Sequence, residues 1–145
     1  MGKRALIVVR NIANMRLGDF AVSTTKIVFF KDDDGACPFL DWLRSLPPKA
    51  QDKCRVKLGR LAELGHDLRR PEADLLRDKI YELRASIQGI HYRVLYFFHG
   101  NVAAVVSHGL VKESAVPAIE IDRAIDRKTR FESNPAKYTY TKDES

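Results

Sequence analysis

Cysteine is scarce in this chain of 145 residues: there are two, Cys37 and Cys54, in unrelated contexts. Two cysteines cannot build the multi-bridge framework of a small secreted domain, and without a CxxC they give no structural zinc. Histidine is also sparse, and His66, His91, His99 and His108 fall into no metal-ligand spacing with the carboxylates. A Gly-rich phosphate loop is missing, as is a recognisable nucleophile–base motif. Long hydrophobic runs are missing too. The apolar stretch Ala5 to Val9 in "MGKRALIVVR" is stopped by Arg10 before any small-residue cleavage site, and no segment approaches a membrane span. The expectation is a soluble chain in a reducing, cytoplasmic setting, with no metal, no cofactor and no membrane partner.

What the chain does contain is ordinary for one globular domain: 45% hydrophobic and 30% charged residues. The formal charge is +6, from 25 Lys and Arg against 19 Asp and Glu. That surplus favours an anionic partner, with nucleic acid first and a membrane surface second.

Residues 1–24 show no clear period and read as an N-terminal extension. The globular pattern starts at "TKIVFF", a β-branched and aromatic strand closed by the turn-forming "KDDDG". Two helices follow. "CPFLDWLRSL" has Pro38 in its first turn, and "PPKAQDKCRVKLGRLAELG" opens on prolines and stops at Gly65. In the second, Ala50, Cys54, Leu58 and Leu61 form an apolar stripe, and Lys49, Lys53, Lys57 and Arg60 form an equally regular basic one. The basic stripe reads either as a solvated helix face or as an RNA-binding surface.

After the polar connection "HDLRRPEAD" the period changes to two. "DKIYELRASI" puts Tyr81, Leu83, Ala85 and Ile87 on one face and Glu82, Arg84 and Ser86 on the other. "HYRVLYFF", the turn "HGN" and "VAAVVSHGLVK" complete an antiparallel meander. "PAIEIDRAIDRKTRF" is a helix with acid early and base late, as its dipole prefers. The tail, residues 133–145, reads as flexible. The expected fold of residues 25–132 is α+β, ordered β-α-α-β-β-β-α: a small antiparallel sheet with two N-terminal helices on one face, and a C-terminal helix. The second sheet face is expected to stay open.

Arg84 and Arg93 then sit inside apolar strands and point to that open face. A guanidinium keeps its proton, so each needs an anion. Either a scaffold carboxylate such as Glu82 or Glu72 provides it, or a ligand does. Lys79, His108 and Lys112 fall on the same face or its rim. Cations without a metal cluster suit RNA phosphodiester cleavage, in which the 2′-hydroxyl is the nucleophile and arginines stabilise the charged phosphorane. His108 reads either as an acid or base for that chemistry or as a core histidine bonded to backbone.

The run Tyr81-Glu82-Leu83-Arg84, Tyr92-Arg93-Val94-Leu95-Tyr96, His108-Gly109-Leu110, Lys112 and Glu120-Ile121 with Ala124 resembles the phage-derived HigB-like branch of the RelE/HigB toxin superfamily. The likeness extends over about residues 26–131. It implies a RelE-like fold and the toxin of a type II toxin–antitoxin pair. Such a toxin is a metal-independent endoribonuclease that cuts mRNA on the ribosome, inhibits translation and is silenced by a cognate antitoxin of helix-turn-helix, HigA-like type. On that resemblance Arg84 and Arg93 become phosphate and transition-state cations. Lys79 and Lys112 become basic contacts with a share in proton transfer, and His108 becomes a candidate acid or base. One departure stands out: relatives carry a lysine pair where this chain has Lys112-Glu113.

Overall fold

The structure is a computed structural model that describes residues 24–142. The N-terminal extension, apart from Thr24, lies outside the described residues. The elements are β1 (Lys26–Phe29), α1 (Pro38–Arg44), α2 (Pro48–Leu64), β2 (Ala73–Arg77), β3 (Ile80–Ile87), β4 (Ile90–His99), β5 (Ala103–Val111) and α3 (Ala118–Ser133), with a 3-10 turn at Gly65–Asp67. The fold is α+β, as expected, with three helices around one five-stranded sheet of order β1-β5-β4-β3-β2.

Local chemistry accounts for the element ends. Prolines at the first turns of α1 and α2 have no N–H to waste there, and Gly65 ends α2 with φ +51. Positive φ at Asp78 and Lys79 closes the β2–β3 hairpin, and positive φ at Gln88 and Gly89 closes β3–β4. Mirror-image turns of this kind match the twist of antiparallel strands.

Three expectations need correction. The sheet is mixed, not antiparallel, because β1 pairs parallel with β5. Part of the segment read as a polar connection is a strand: β2 pairs with β3 from Ala73 to Arg77. It is a short edge strand with Leu75 half-exposed, so it lacks the buried alternation that marks its neighbours. The second sheet face is only half open. Helices α1 and α2 cover one face over Tyr92, Val94, Tyr96, Leu83 and Ala85, while α3 covers Ile80, Leu95, Phe97 and Val105 on the other.

Within the described part of the tail, residues 138–140 lie against β1. Thr139 bridges Phe30, the Tyr140 N–H donates to the Phe29 carbonyl at 2.9 Å, and the Tyr138 ring stacks on Phe30 at 5.5 Å. One buried tyrosine anchors an otherwise polar segment. Among the described residues no helix is long and apolar enough to cross a membrane.

Candidate functional site

Alternation fixes which side chains share a face. On β4, Arg93, Leu95 and Phe97 point toward α3; on β3, Ile80, Glu82 and Arg84 do the same. Helix α3 covers the apolar end of this face. The opposite end, near the β3–β4 turn, carries the charges.

Arg84 and Arg93 are direct register partners across β3 and β4. Two like charges in that position repel unless an anion lies between them. Glu82 provides it: Arg84 donates from Nε and Nη2 to Glu82 Oε2 at 2.9 and 2.7 Å, and Glu82 Oε1 is 3.1 Å from Arg93 Nε. The Glu82 side chain is 6% exposed, that of Arg93 13% and that of Arg84 33%. The Arg93 pairing is incomplete. Its Nε is buried and close to the carboxylate, yet the N–H is not aligned on any acceptor, so the contact is charge against charge rather than a hydrogen bond.

The network extends to the edge strand. Asp74 lies 3.4 Å from Arg84 Nη2 and 2.9 Å from Arg70 Nη2. The hydrogen bond from Arg70 holds the Asp74 carboxyl below its usual range, against the opposing effect of burial. Lys112 lies at the rim, just past the end of β5: its backbone N–H donates to the His91 carbonyl at 3.1 Å, two residues beyond Leu110, the register partner of Arg93. Among the ion-paired groups cations outnumber carboxylates, with Arg70, Arg84 and Arg93 against Asp74 and Glu82. The cluster can hold a phosphate through guanidinium forks. A groove of about 380 Å³ runs beside β2 past His66, Arg69 and Tyr81 and meets the cluster at Arg70 and Asp74.

His108 stands at the border between the covered and the open halves. A bulge in β5 opposite Leu95 and Tyr96 turns Ser107 and His108 inward, both buried. Ser107 Oγ is 2.7 Å from Nδ1 and Glu120 Oε1 is 2.9 Å from Nε2. Burial drives the imidazole pKa down to about 4 despite the Glu120 carboxylate. The ring is therefore neutral at pH 7, with Nε2–H donating to Glu120 and Nδ1 accepting from Ser107. Burial raises the Glu120 carboxyl, but the bond from His108 and the charge of Arg123 outweigh it and leave it lowered. With both nitrogens occupied, His108 ties α3 to the sheet.

The structure thus brings Arg84, Arg93 and Lys112 to one open half-face, with His108 at its edge. Lys79 is exposed in the β2–β3 turn, five residues up β3 from Arg84 or about 16 Å at strand rise, and does not join them. Lys49, Lys53, Lys57 and Arg60 lie on α2, against the opposite sheet face. Lys57 and Arg60 grip Glu72 at 3.3 and 2.8 Å, and the Arg60 bond brings that carboxyl down to about 2. Asp74, Arg70 and the Ser86–His91 pair were not legible as site neighbours, because they meet the arginines only through the strand pairings. Among the described residues no group of three or more His, Cys, Asp or Glu side chains could hold a metal ion.

No curated protein matches the chain. The family described as Phage derived protein Gp49-like (DUF891) matches residues 41–129, more than half of the chain and the whole of the Arg84–Arg93 cluster. The chain therefore belongs to the phage-derived Gp49-like family, a RelE/HigB-like toxin family.

Proposed function

We propose that this protein is the toxin of a type II toxin–antitoxin pair and a metal-independent, ribosome-dependent mRNA endoribonuclease that acts in the cytoplasm. The observation that carries this reading is the registered pair Arg84 and Arg93, held by the buried Glu82 on the half of a sheet face that α3 leaves uncovered. Two guanidinia fixed side by side match the oxygens of a scissile phosphate and of the phosphorane that follows. Glu82 keeps their forks oriented when RNA is absent. Lys112 adds positive charge at the rim, and Lys79 with Lys49, Lys53, Lys57 and Arg60 are proposed to touch the RNA or ribosome further out. A helix-turn-helix, HigA-like antitoxin is the proposed partner that covers the cluster and silences it.

The test is expression with mapping of mRNA 5′ ends in translating cells. Growth arrest and new 5′ ends inside coding regions are expected for the wild type, and their loss in Arg84→Ala/Arg93→Ala. Arrest by the double variant equal to that of a surface-lysine control refutes the assignment.

A second reading is a module that binds RNA, ribosome or a protein partner without cutting. The occlusion of His108 favours it, since that imidazole has no nitrogen to offer. Salt-sensitive RNA binding with intact RNA after long incubation on ribosomes would select it.

A further inference from the structure

A second imidazole lies on the arginine face, and it is accessible. The two-residue turn Gln88–Gly89 pairs Ile87 with Ile90 and, one step inward, Ser86 with His91. Ser86 shares its face with Arg84 and Glu82, and His91 shares it with Arg93, two residues further along β4 and about 7 Å away at strand rise. Ser86 Oγ is 2.8 Å from His91 Nδ1. Nε2 has no protein partner among the described residues, and the side chain is only half-buried. His108 offers the reverse: two occupied nitrogens and a buried ring.

We propose that His91 is the catalytic base of this site, taking the proton of the RNA 2′-hydroxyl at Nε2 while Ser86 holds the ring; the proposal rests on the ribonuclease reading above. Ser86 Oγ accepts from Nδ1–H, which puts the lone pair on Nε2 and aims it along the face. The groups around it are Arg93 on its own strand, Arg84 and Glu82 on β3, and Lys112 with the exposed Glu113 after β5. Glu82 is engaged by both arginines, which leaves His91 as the base beside the phosphate they would hold.

The step balances without a co-reactant. The 2′-hydroxyl proton passes to Nε2 as O2′ bonds to phosphorus. The P–O5′ bond breaks, and O5′ takes a proton from water. The products are a 2′,3′-cyclic phosphate on one fragment and a 5′-hydroxyl on the next. His91 then returns its proton to solvent.

Single-turnover cleavage of end-labelled mRNA on programmed ribosomes tests this, comparing the full chain with His91→Ala, His91→Gln and Arg93→Ala across pH. Loss of a general base slows such a reaction by about 10²–10⁴. The expected result is that fall in both His91 variants, loss of the acid limb of the pH profile, and partial rescue of His91→Ala, but not Arg93→Ala, by free imidazole. If His91→Ala cuts within about threefold of wild type, a change far smaller than the general-base effect, with the acid limb intact while Arg93→Ala is slow, His91 is not the base and the ribonuclease reading stands. Wild-type protein that leaves the mRNA whole overturns both.

Discussion

The two ends of the α3-facing side of the sheet are built on the same alternation and finished differently. Toward His99, the inward positions hold Ile80, Leu95, Phe97 and Val105, all fully buried against α3. Toward the β3–β4 turn, the same two-residue spacing delivers Glu82, Arg84 and Arg93. Helix α3 begins only at Ala118, and its first turn meets the sheet at His108 through Glu120. The covered end is what a scaffold needs. The uncovered end concentrates charge at a desolvation cost that a scaffold has no reason to carry, and cavities and clusters of this kind are where function is found.

The contrast can be attacked from both ends. Phe97→Ala, in the covered half, is expected to lower unfolding free energy by about 3–5 kcal/mol in urea titrations while the residual folded protein keeps the proposed RNA cleavage. Glu82→Gln should cost a similar or slightly smaller amount, about 3–5 kcal/mol, because it leaves two opposed guanidinia without their buried partner. The triple replacement Glu82→Leu/Arg84→Met/Arg93→Met should behave oppositely: stability unchanged or raised by about 1–4 kcal/mol, with the proposed cleavage abolished. A triple variant as unstable as Glu82→Gln would mean that the network serves the fold after all.

The border residue gives a pH signature. His108 has its pKa lowered to about 4 in the folded protein against 6.5 ordinarily. Between those values the unfolded chain binds a proton that the folded one does not, so stability is highest above pH 6.5 and falls as pH drops toward 4. The loss approaches about 3 kcal/mol. Glu120, whose carboxyl is lowered, adds to the loss in the same direction at still lower pH. Urea melts of His108→Gln across this window should show a flatter profile. The smallest effect is expected on the opposite face, where a Cβ on Gly109 would lie 2.2 Å from the Trp42 ring. Gly109→Ala should therefore cost about 1–3 kcal/mol by overpacking, read as a shift of the urea midpoint.

Much of the scaffold was legible in the residues themselves. The stripe Ala50, Cys54, Leu58 and Leu61 is buried as its spacing indicated, and the alternations of β3 and β4 put Arg84 and Arg93 on a common face. β2 was hidden because an edge strand needs only one satisfied face, and "ADLLR" follows a run of arginines and Pro71 that reads as loop. The parallel pairing of β1 with β5 depends on a contact between the first and last strands, which no local pattern encodes. The tail carried a single aromatic anchor, Tyr138, among polar residues. At the site, Arg84, Arg93, Lys112 and the carboxylate Glu82 could be named from sequence. Arg70, Asp74 and the Ser86–His91 pair depended on strand register and on one tight turn. His108 shows the limit of residue type as a guide, since a bulge turned it inward to Glu120 and Ser107.

The most direct test is the single-turnover rate of mRNA cleavage on programmed ribosomes for wild type and Arg93→Ala, with urea unfolding measured on the same preparations. If Arg93 stabilises the charge that develops on the scissile phosphate, the rate falls by about 10²–10³ while the variant remains folded. A folded Arg93→Ala protein that cuts at the wild-type rate would contradict it.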